Sequence, residues 1–455
     1  MEEIEQFEFT KEFLERFGTA VSNREDGFIK ESLEGVNPAD VSTLLNEFNA
    51  EESKWVMELL DTDVSAQILN DLDSDTRVQF LKGFESNEIA RYVEALDSDD
   101  AADILNEQPV QKREEVIANI ANLEKAGNIL DLLRYEEDCA GGLMAKELIK
   151  ANVNWTINKC IEEIRRQAGK VNKVYSIYVV DDVGKLLGRV SLRRIVLAND
   201  QLKISDIYDD EVFSVETYMD KEEVALLMQK YDLEAIPVVN VNGKLVGRIT
   251  IDDIVDVITE MAEQERQIMS GISEDVEEDD SIWLLTRARL PWLMIGLIGG
   301  LIAAIFIQFF DEEITLIPAL AFFIPLIMAT GGNVGIQSSS IIVQSLAHRP
   351  SFGDQYGKRL FKIFFVALLN GLVLGLLSFL GIGLLLGESY KLAFIVSLAL
   401  FSVVVLASFM GTMTPIILDR MNINPALASG PFITTTNDLL GLAIYLGIIY
   451  LLYFR

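Results

Sequence analysis

A chain of 455 residues with a formal net charge of −32 has room for several domains, and its charge is unevenly spread. Seven of the 70 acidic and nine of the 38 basic residues fall after position 280, leaving residues 1–280 with 63 acids against 29 bases, a net of about −34. Such a surface repels nucleic acid and attracts cations, while two cysteines (Cys139, Cys160) and one histidine (His348) argue against a disulfide framework or a zinc site. The start, Met1-Glu2-Glu3-Ile4-Glu5-Gln6, is acidic and has no apolar run, so no signal peptide is expected and the acidic portion is expected in the cytoplasm. No nucleophile–base pair and no phosphate-cradling loop is recognisable, so an enzyme is not expected.

Residues 1–135 carry a twelve-residue period. Its apolar pairs are Leu44–Leu45, Val56–Met57, Ile68–Leu69, Phe80–Leu81, Tyr92–Val93 and Ile104–Leu105. Between them recur helix-start signals: Asn49, Asp61-Thr62-Asp63, Asp73-Ser74-Asp75, Glu85-Ser86-Asn87 and Asp97-Ser98-Asp99. Each unit predicts a helix of about two turns, too short to stand alone, stacked on its neighbours as a solenoid. Its acids serve either as a soluble face or as ligands for divalent ions at contacts with the next domain.

Residues 136–253 hold a tandem repeat. Tyr178-Val179-Val180 followed by Lys185-Leu186-Leu187-Gly188-Arg189-Val190-Ser191 matches Pro237-Val238-Val239 followed by Lys244-Leu245-Val246-Gly247-Arg248-Ile249-Thr250, 59 residues on. Each copy predicts strand, Gly-containing turn, strand and a helix capped by Ser191 or Thr250. The duplicated G-x-[V/I]-[S/T] pattern resembles a pair of CBS modules. That resemblance implies an adenine nucleotide such as ATP, with Thr250 and Asp253 forming the ribose-binding [S/T]-x-x-D. The first copy has Arg194 at the equivalent position, so one nucleotide at most is expected, or else a pure dimerisation and hinge module.

Residues 254–280 predict a helix with one apolar side and a side carrying Asp253, Asp256, Glu260 and Glu263, followed by an acidic run from Glu274 to Asp280. Lying between a regulatory-looking domain and the first apolar segment, it reads as a coupling rod.

Residues 281–455 predict five membrane spans, at about 290–309, 315–346, 360–386, 392–418 and 424–454. Trp283, Trp292, Arg287 and Arg289 give the first an interfacial start. Arg349, Lys358, Arg359, Lys362 and Arg420 mark one side, and Asp311, Glu312, Glu313 and Glu388 the other. Lys391 and Arg455 are exceptions. The bias places the N-terminus inside. The second span contains Thr330-Gly331-Gly332-Asn333-Val334-Gly335-Ile336-Gln337-Ser338, too polar and glycine-rich to face lipid. Asn333 and Gln337 share a helical face there, and a backbone break at that depth is tolerated only where it lines water or is buried in protein. Gly371-x-x-x-Gly375 in the third span is a weak packing motif.

The fifth span carries Asp438 beside Thr434, Thr435, Thr436 and Asn437, the one charge that can be placed at mid-membrane. A carboxylate there costs roughly 2.5–3.5 kcal/mol on insertion scales. It is either a structural acid bonded to nearby hydroxyls or a cation site in a permeation path.

Acidic helical repeat, CBS pair, linking helix and five spans together resemble the MgtE family of magnesium channels. Two stretches carry most of the likeness: Gly331-Gly332-Asn333-x-Gly335-x-Gln337-Ser338 and Pro425-Ala426-Leu427…Pro431…Asn437-Asp438-x-x-Gly441-Leu442. The resemblance implies a multidomain membrane protein: an all-α superhelical solenoid (1–135), a tandem α/β CBS pair (136–253), a linking helix (254–280) and a five-helix transmembrane domain (281–455). It implies a homodimer in the cell membrane, its second and fifth spans around a pore, with Asp438 holding hydrated magnesium. Asn333, Gln337, Gly430, Thr434, Thr435 and Asn437 would line that pore. The cytosolic part would sense intracellular magnesium through Asp220, Glu222, Asp232, Asp253 and Asp256, with Asp99 and Asp103 as looser matches. Many members carry a second Asn where this chain has Ile336, and some carry Asn in place of Gly430. Magnesium suits the site: it gives up its water reluctantly and is held by few carboxylates, whereas calcium prefers six to eight direct oxygens. The competing readings are an ion-coupled secondary transporter of divalent cations and a non-transporting membrane-anchored metal or nucleotide sensor.

Overall fold

A computed structural model describes residues 9–454, apart from 168–173, 275, 277–279, 348–355 and 429. The acidic N-terminus, most of the 274–280 run, His348, Arg349 and Arg455 therefore lie outside the described residues. The chain divides into two compact units, Met1–Thr259 and Glu260–Arg455.

In the first unit, α1 (Lys11–Asn23) and α2 (Asp26–Leu33) precede eight short helices: α3 (Pro38–Leu45), α4 (Ala50–Leu59), α5 (Thr62–Asp71), α6 (Ser74–Leu81), α7 (Ser86–Ala95), α8 (Ser98–Asn106), α9 (Val110–Asn119) and α10 (Leu123–Leu132). From α3 to α9 each begins twelve residues after the last. Asn37, Asn49 and Asp73 cap with their side chains, and Asn49 and Glu85 form capping boxes. Asp61 and Asp97, expected as caps, make no side-chain cap bond. The predicted apolar pairs are buried, Tyr92 only partly. The period also carries a bond: Ser53 Oγ donates to Leu45 O (3.2 Å), Ser65 Oγ to Met57 O (2.8 Å) and Arg77 Nη1 to Leu69 O (3.4 Å), each reaching back eight residues. Alternate helices pack together, α3 on α5 on α7 on α9, so a helix too short for independent stability borrows its core from units on either side.

Two three-stranded sheets follow. The first joins β1 (Ile149–Asn152), β2 (Ile177–Val180) and β3 (Leu186–Val190), with helices α11 (Ile157–Gln167) and α12 (Leu192–Leu197). The second joins β4 (Val215–Glu216), β5 (Ala235–Val239) and β6 (Leu245–Thr250), with α13 (Lys221–Lys230) and α14 (Ile251–Met269). Each has a parallel then an antiparallel pairing, with a register shift at Val179/Val180 and again at Val238/Val239. The duplicated turns share one chemistry. Asp181 Oδ1 accepts from the amides of Val183 and Lys185, Asn240 Oδ1 from those of Asn242 and Lys244. Gly184 and Gly243 supply the positive φ (84° and 72°). Leu186 N donates to Gly243 O and Leu245 N to Gly184 O, so the two hairpins bond reciprocally. Ser191 caps α12 by accepting from Arg194 N (3.2 Å). Thr250 does the reverse of what its position suggested: its hydroxyl and amide both donate to Asp253 Oδ2 (2.8 and 2.9 Å).

Among the described residues of the second unit, five helices are long and apolar enough to cross a membrane. They are α15 (Ile282–Gln308), α17 (Ala319–Ala347), α18 (Tyr356–Leu380, extended by a π turn), α19 (Tyr390–Arg420) and α20 (Pro431–Ile449, extended by a π turn). A short α16 (Asp311–Leu316) carries the acids Asp311, Glu312 and Glu313. The first helix starts eight residues before the predicted span, because its interfacial Trp and Arg residues are already helical. The second starts at 319, since α16 and Pro318 separate it from the first. α17 runs unbroken through its three glycines: each costs only about 1 kcal/mol in a helix, and close packing offsets that. α19 is central, with Val396, Ala399, Val403 and Val404 buried, whereas α15 and α18 keep broad apolar faces exposed, as lipid-facing helices would. Gly371 and Gly375 of α18 lie against Phe401 and the Ser397 carbonyl of α19, so the predicted motif does pack helices.

Candidate functional site

The polar run of α20 follows from its start. Pro431 opens the helix after Gly430, and Thr434 Oγ1 donates to Gly430 O (3.0 Å), keeping a hydroxyl inside the first turn. Four polar side chains of this run meet glycines on neighbouring helices. The Thr434 methyl and Asp438 Oδ1 lie over Gly332 of α17, Thr435 against Gly299 of α15, and Asn437 against Gly335 of α17. A Cβ at Gly335 would overlap the Asn437 amide, whereas one at Gly332 would stand 3.1 Å from Thr434 Cγ2. Gly411 of α19 in turn meets the Gly335 carbonyl. Gly335→Ala is therefore expected to lower the detergent melting temperature by the equivalent of about 1–3 kcal/mol. Gly332→Ala should cost less and Gly447→Ala, which meets nothing within 4 Å, least. A thermal melt of the three variants checks the order.

Asp438 is half-buried, and among the described residues its Oδ1 accepts no hydrogen bond. Asn437 is buried, 2% exposed, with neither side-chain polar atom paired. The bland expectation, an aspartate tied to the adjacent threonine hydroxyls, is not what the geometry gives: Thr434 bonds to its own helix, and Thr435 points at α15. Asn333 and Gln337 are exposed on α17. Asn437 and Thr435 are instead enclosed by α17 and α15 of the same subunit.

Gly430 has φ 61° and ψ −133°, a backbone state reserved for glycine, and a Cβ there would overlap the Met269 carbonyl at the end of α14. Gly271 (φ 80°) ends α14 and lies against Pro431. The segment after it is pinned: Ser273 N donates to Ala288 O (3.0 Å), and Arg287 pairs with Glu274 (3.0 Å). Gly430 is where one backbone meets another, and Gly271 where a backbone meets the Pro431 ring.

A second group of carboxylates lies in the first unit, where the start of α8 faces the start of α14. Asp99 is 7% exposed and its Oδ1 has no partner. Burial, then Asp253, Asp100 and Asp97, holds its carboxyl well above the usual range. Burial also pushes Asp100 up to about 6, with Asp97 and Asp252 adding to it. Asp103 keeps solvent contact but is pushed up to about 7 by its crowded surroundings, then Asp100 and Glu137. Asp253 rises to about 6 through burial, against the pull of the two Thr250 bonds. Asp256, one turn on, rises through burial and then Asp252.

Asp220 and Glu222 are elsewhere. Asp220 caps α13, accepting from Glu222 N (2.8 Å), and Asp232 sits past the other end in the left-handed conformation (φ 50°). A ten-residue helix separates them, about 15 Å, so they cannot share one ion within a subunit. Asp97, Asp100, Asp252 and Glu137 join the cluster and were not foreseen; Asp97 sits where a helix cap was the economical reading. Among the described residues no three His, Cys, Asp or Glu are arranged to hold a metal ion. An ion at the α8–α14 junction would therefore be held by few carboxylates and its own water, the mode magnesium favours. For a nucleotide the residues are less ready, because Asp253 is already occupied by Thr250.

Comparison with known proteins matches the same parts. The MgtE model, described as a divalent cation transporter, matches residues 324–448, the MgtE intracellular N domain residues 36–138, and the CBS domain residues 140–200 and 204–260. The magnesium transporter MgtE of Thermus thermophilus is 35% identical over 434 residues, 93% of this chain and 95% of that one. The magnesium transporter MgtE of Enterococcus faecalis is 34% identical over 326 residues, 71% of each. The crystal structure of the cytosolic domain of the Mg2+ channel MgtE in complex with ATP is 32% identical and superposes with a TM-score of 0.50, covering 53% of this chain and 98% of that one. With a fold of helical repeat, CBS pair and five apolar helices, and a relative matched over nearly its whole length, this chain belongs to the MgtE family.

Proposed function

We propose that the protein is a magnesium channel of the cell membrane, not an enzyme, built as a homodimer and closed by intracellular magnesium through its acidic domains. The observation that carries the reading is Asp438, a carboxylate within an apolar helix whose Oδ1 has no protein partner. Relatives named as magnesium transporters support the choice of ion. One such acid per subunit makes half a site. Two subunits related by a twofold axis would bring two carboxylates to one hydrated ion, with Asn333 and Gln337, exposed in the single subunit, beside it. Gly430, Thr434, Thr435 and Asn437 would shape the wall, the last two from behind it. Counting subunits by single-molecule photobleaching should give two per active particle; an active monomer would refute the assembly.

For gating, Asp99, Asp100, Asp103 and Asp253 are held together against their mutual repulsion, and divalent ions there would favour the compact arrangement. Asp220, Glu222, Asp232 and Asp256 would serve ions at other contacts of the cytosolic domains. α14 would carry the change to Gly430 and the pore mouth, with the cytosolic N-terminus on the same side. A single weak adenine-nucleotide site in the CBS pair is supported by the ATP-bound relative. Planar-bilayer recording tests channel against carrier: a reversal potential that follows the magnesium gradient alone is expected, and flux driven by a pH gradient would favour the ion-coupled transporter.

A further inference from the structure

A cavity of about 640 Å3 opens in the first unit between the helical repeat and the first CBS module, in the size range of small-molecule sites. Its walls come from the end of α7 and the turn after it, α10, the segment before β1, β1 itself and the end of α11. Four basic side chains from these elements reach it: Lys125, Lys146, Lys150 and Arg166. That concentration is unusual in a portion with more than two acids for every base.

The acids in the same wall are largely committed to protein donors. Glu147 accepts from Ser98 Oγ (2.6 Å), Ser98 N (3.1 Å) and Lys125 Nζ (3.0 Å), and Glu94 accepts from the amides of Ala121 (3.2 Å) and Asn122 (2.9 Å). Asp97 and Glu124 complete the acidic part. Lys146 reaches out to Asp131 (2.6 Å), and Arg166 pairs with Glu163. Lys150 is different. Gln167 holds its backbone, accepting from Lys150 N (2.9 Å) and donating to Lys150 O (3.3 Å), and among the described residues its ammonium makes no ion pair. The charged neighbour that acts on it is another cation, Lys146, four residues back in the segment before β1. An ammonium group facing a polar cavity beside a second ammonium group is a place for an anion, and the volume exceeds what a single phosphate needs.

We propose that this cavity binds a small polyphosphorylated anion, with Lys150 and Lys146 as its principal contacts and Arg166 at the rim. The site is separate from Thr250–Asp253, and binding would tie α10 to the first CBS module. It stands independently of magnesium conduction, since its test measures no flux.

The test uses the full-length protein in detergent with chelator present and sodium tripolyphosphate as the probe, followed by calorimetry. Binding is expected, weakened roughly tenfold in Lys150→Gln, the effect of losing one charge-assisted bond. It should be kept in Lys150→Arg and in Lys185→Gln, which removes the same charge from an exposed CBS turn. Absence of binding to the wild-type protein, or equal affinity in Lys150→Gln and Lys185→Gln, overturns the proposal. So does binding of ATP without tripolyphosphate, which would assign the phosphates to a nucleotide cleft. Should Lys150→Gln fold poorly, Lys146→Gln provides the same comparison.

Discussion

Asp438→Ala is expected to reduce magnesium flux by at least about tenfold while leaving folding and dimer formation intact. The magnitude follows from losing contacts between a charged group and the ion's hydration shell, worth about 1.5–3 kcal/mol in all. The retained fold follows from the geometry: Oδ1 makes no bond within the subunit, so its removal breaks none. Asp438→Asn keeps the shape and removes the charge. It should lose flux almost as fully, which separates charge from packing. Vesicle uptake measured alongside size-exclusion profiles checks both halves, and normal uptake by a well-folded alanine variant would end the pore assignment.

The second large effect is expected at Asp99. Burying a carboxylate with one oxygen unpaired costs about 1–3 kcal/mol, and the compact α8–α14 contact bears that cost when no cation is present. Asp99→Asn should therefore make the 135–144 boundary more protease-resistant without magnesium, and shrink the extra protection that magnesium gives. A cluster that mattered only for solubility would change neither.

The pH dependence has a definite sign. The carboxyls of Asp100 and Asp253 titrate at about 6 and that of Asp103 at about 7, all above the ordinary aspartate range. A raised folded-state pKa contributes stability that is complete below about pH 4 and is lost as pH rises through 6 to 7. In chelator the first unit should thus melt higher at pH 6 than at pH 8. The stabilisation by magnesium should be larger at pH 8, where the ion replaces protons. A magnesium effect equal at both pH values would contradict the cluster's role.

The helical repeat and the CBS pair were legible in the sequence because each is written more than once. A twelve-residue period marks the helix starts, and a 59-residue offset marks the hairpins β2–β3 and β5–β6 down to the Asp181 and Asn240 turns, whereas the first strands β1 and β4 lie outside that repeat. Asp438 was legible because charge is costly at that depth. What could not be read was which neighbour each polar side chain of α20 meets. Thr435 and Asn437 look like pore residues in one dimension, yet glycines 102 and more positions away decide that they pack inward. The acidic cluster was half visible for a related reason. Asp97 stands at a helix start, where capping explains it, and only the approach of α14 turns it and Asp100 into a charge problem. Gly430 looked like a departure from the family pattern; its φ of 61° and the Met269 carbonyl against it give a local reason for glycine.

The most direct test of self-limited magnesium entry is open probability recorded from the full-length protein while magnesium on the side of the acidic domains is stepped from nil to about 10 mM, spanning the range of weak carboxylate sites. Open probability should fall through the millimolar range in step with protease protection of residues 135–144, and deletion of residues 1–135 should weaken the closure. An open probability and a protease pattern that both ignore magnesium across that range would contradict the account.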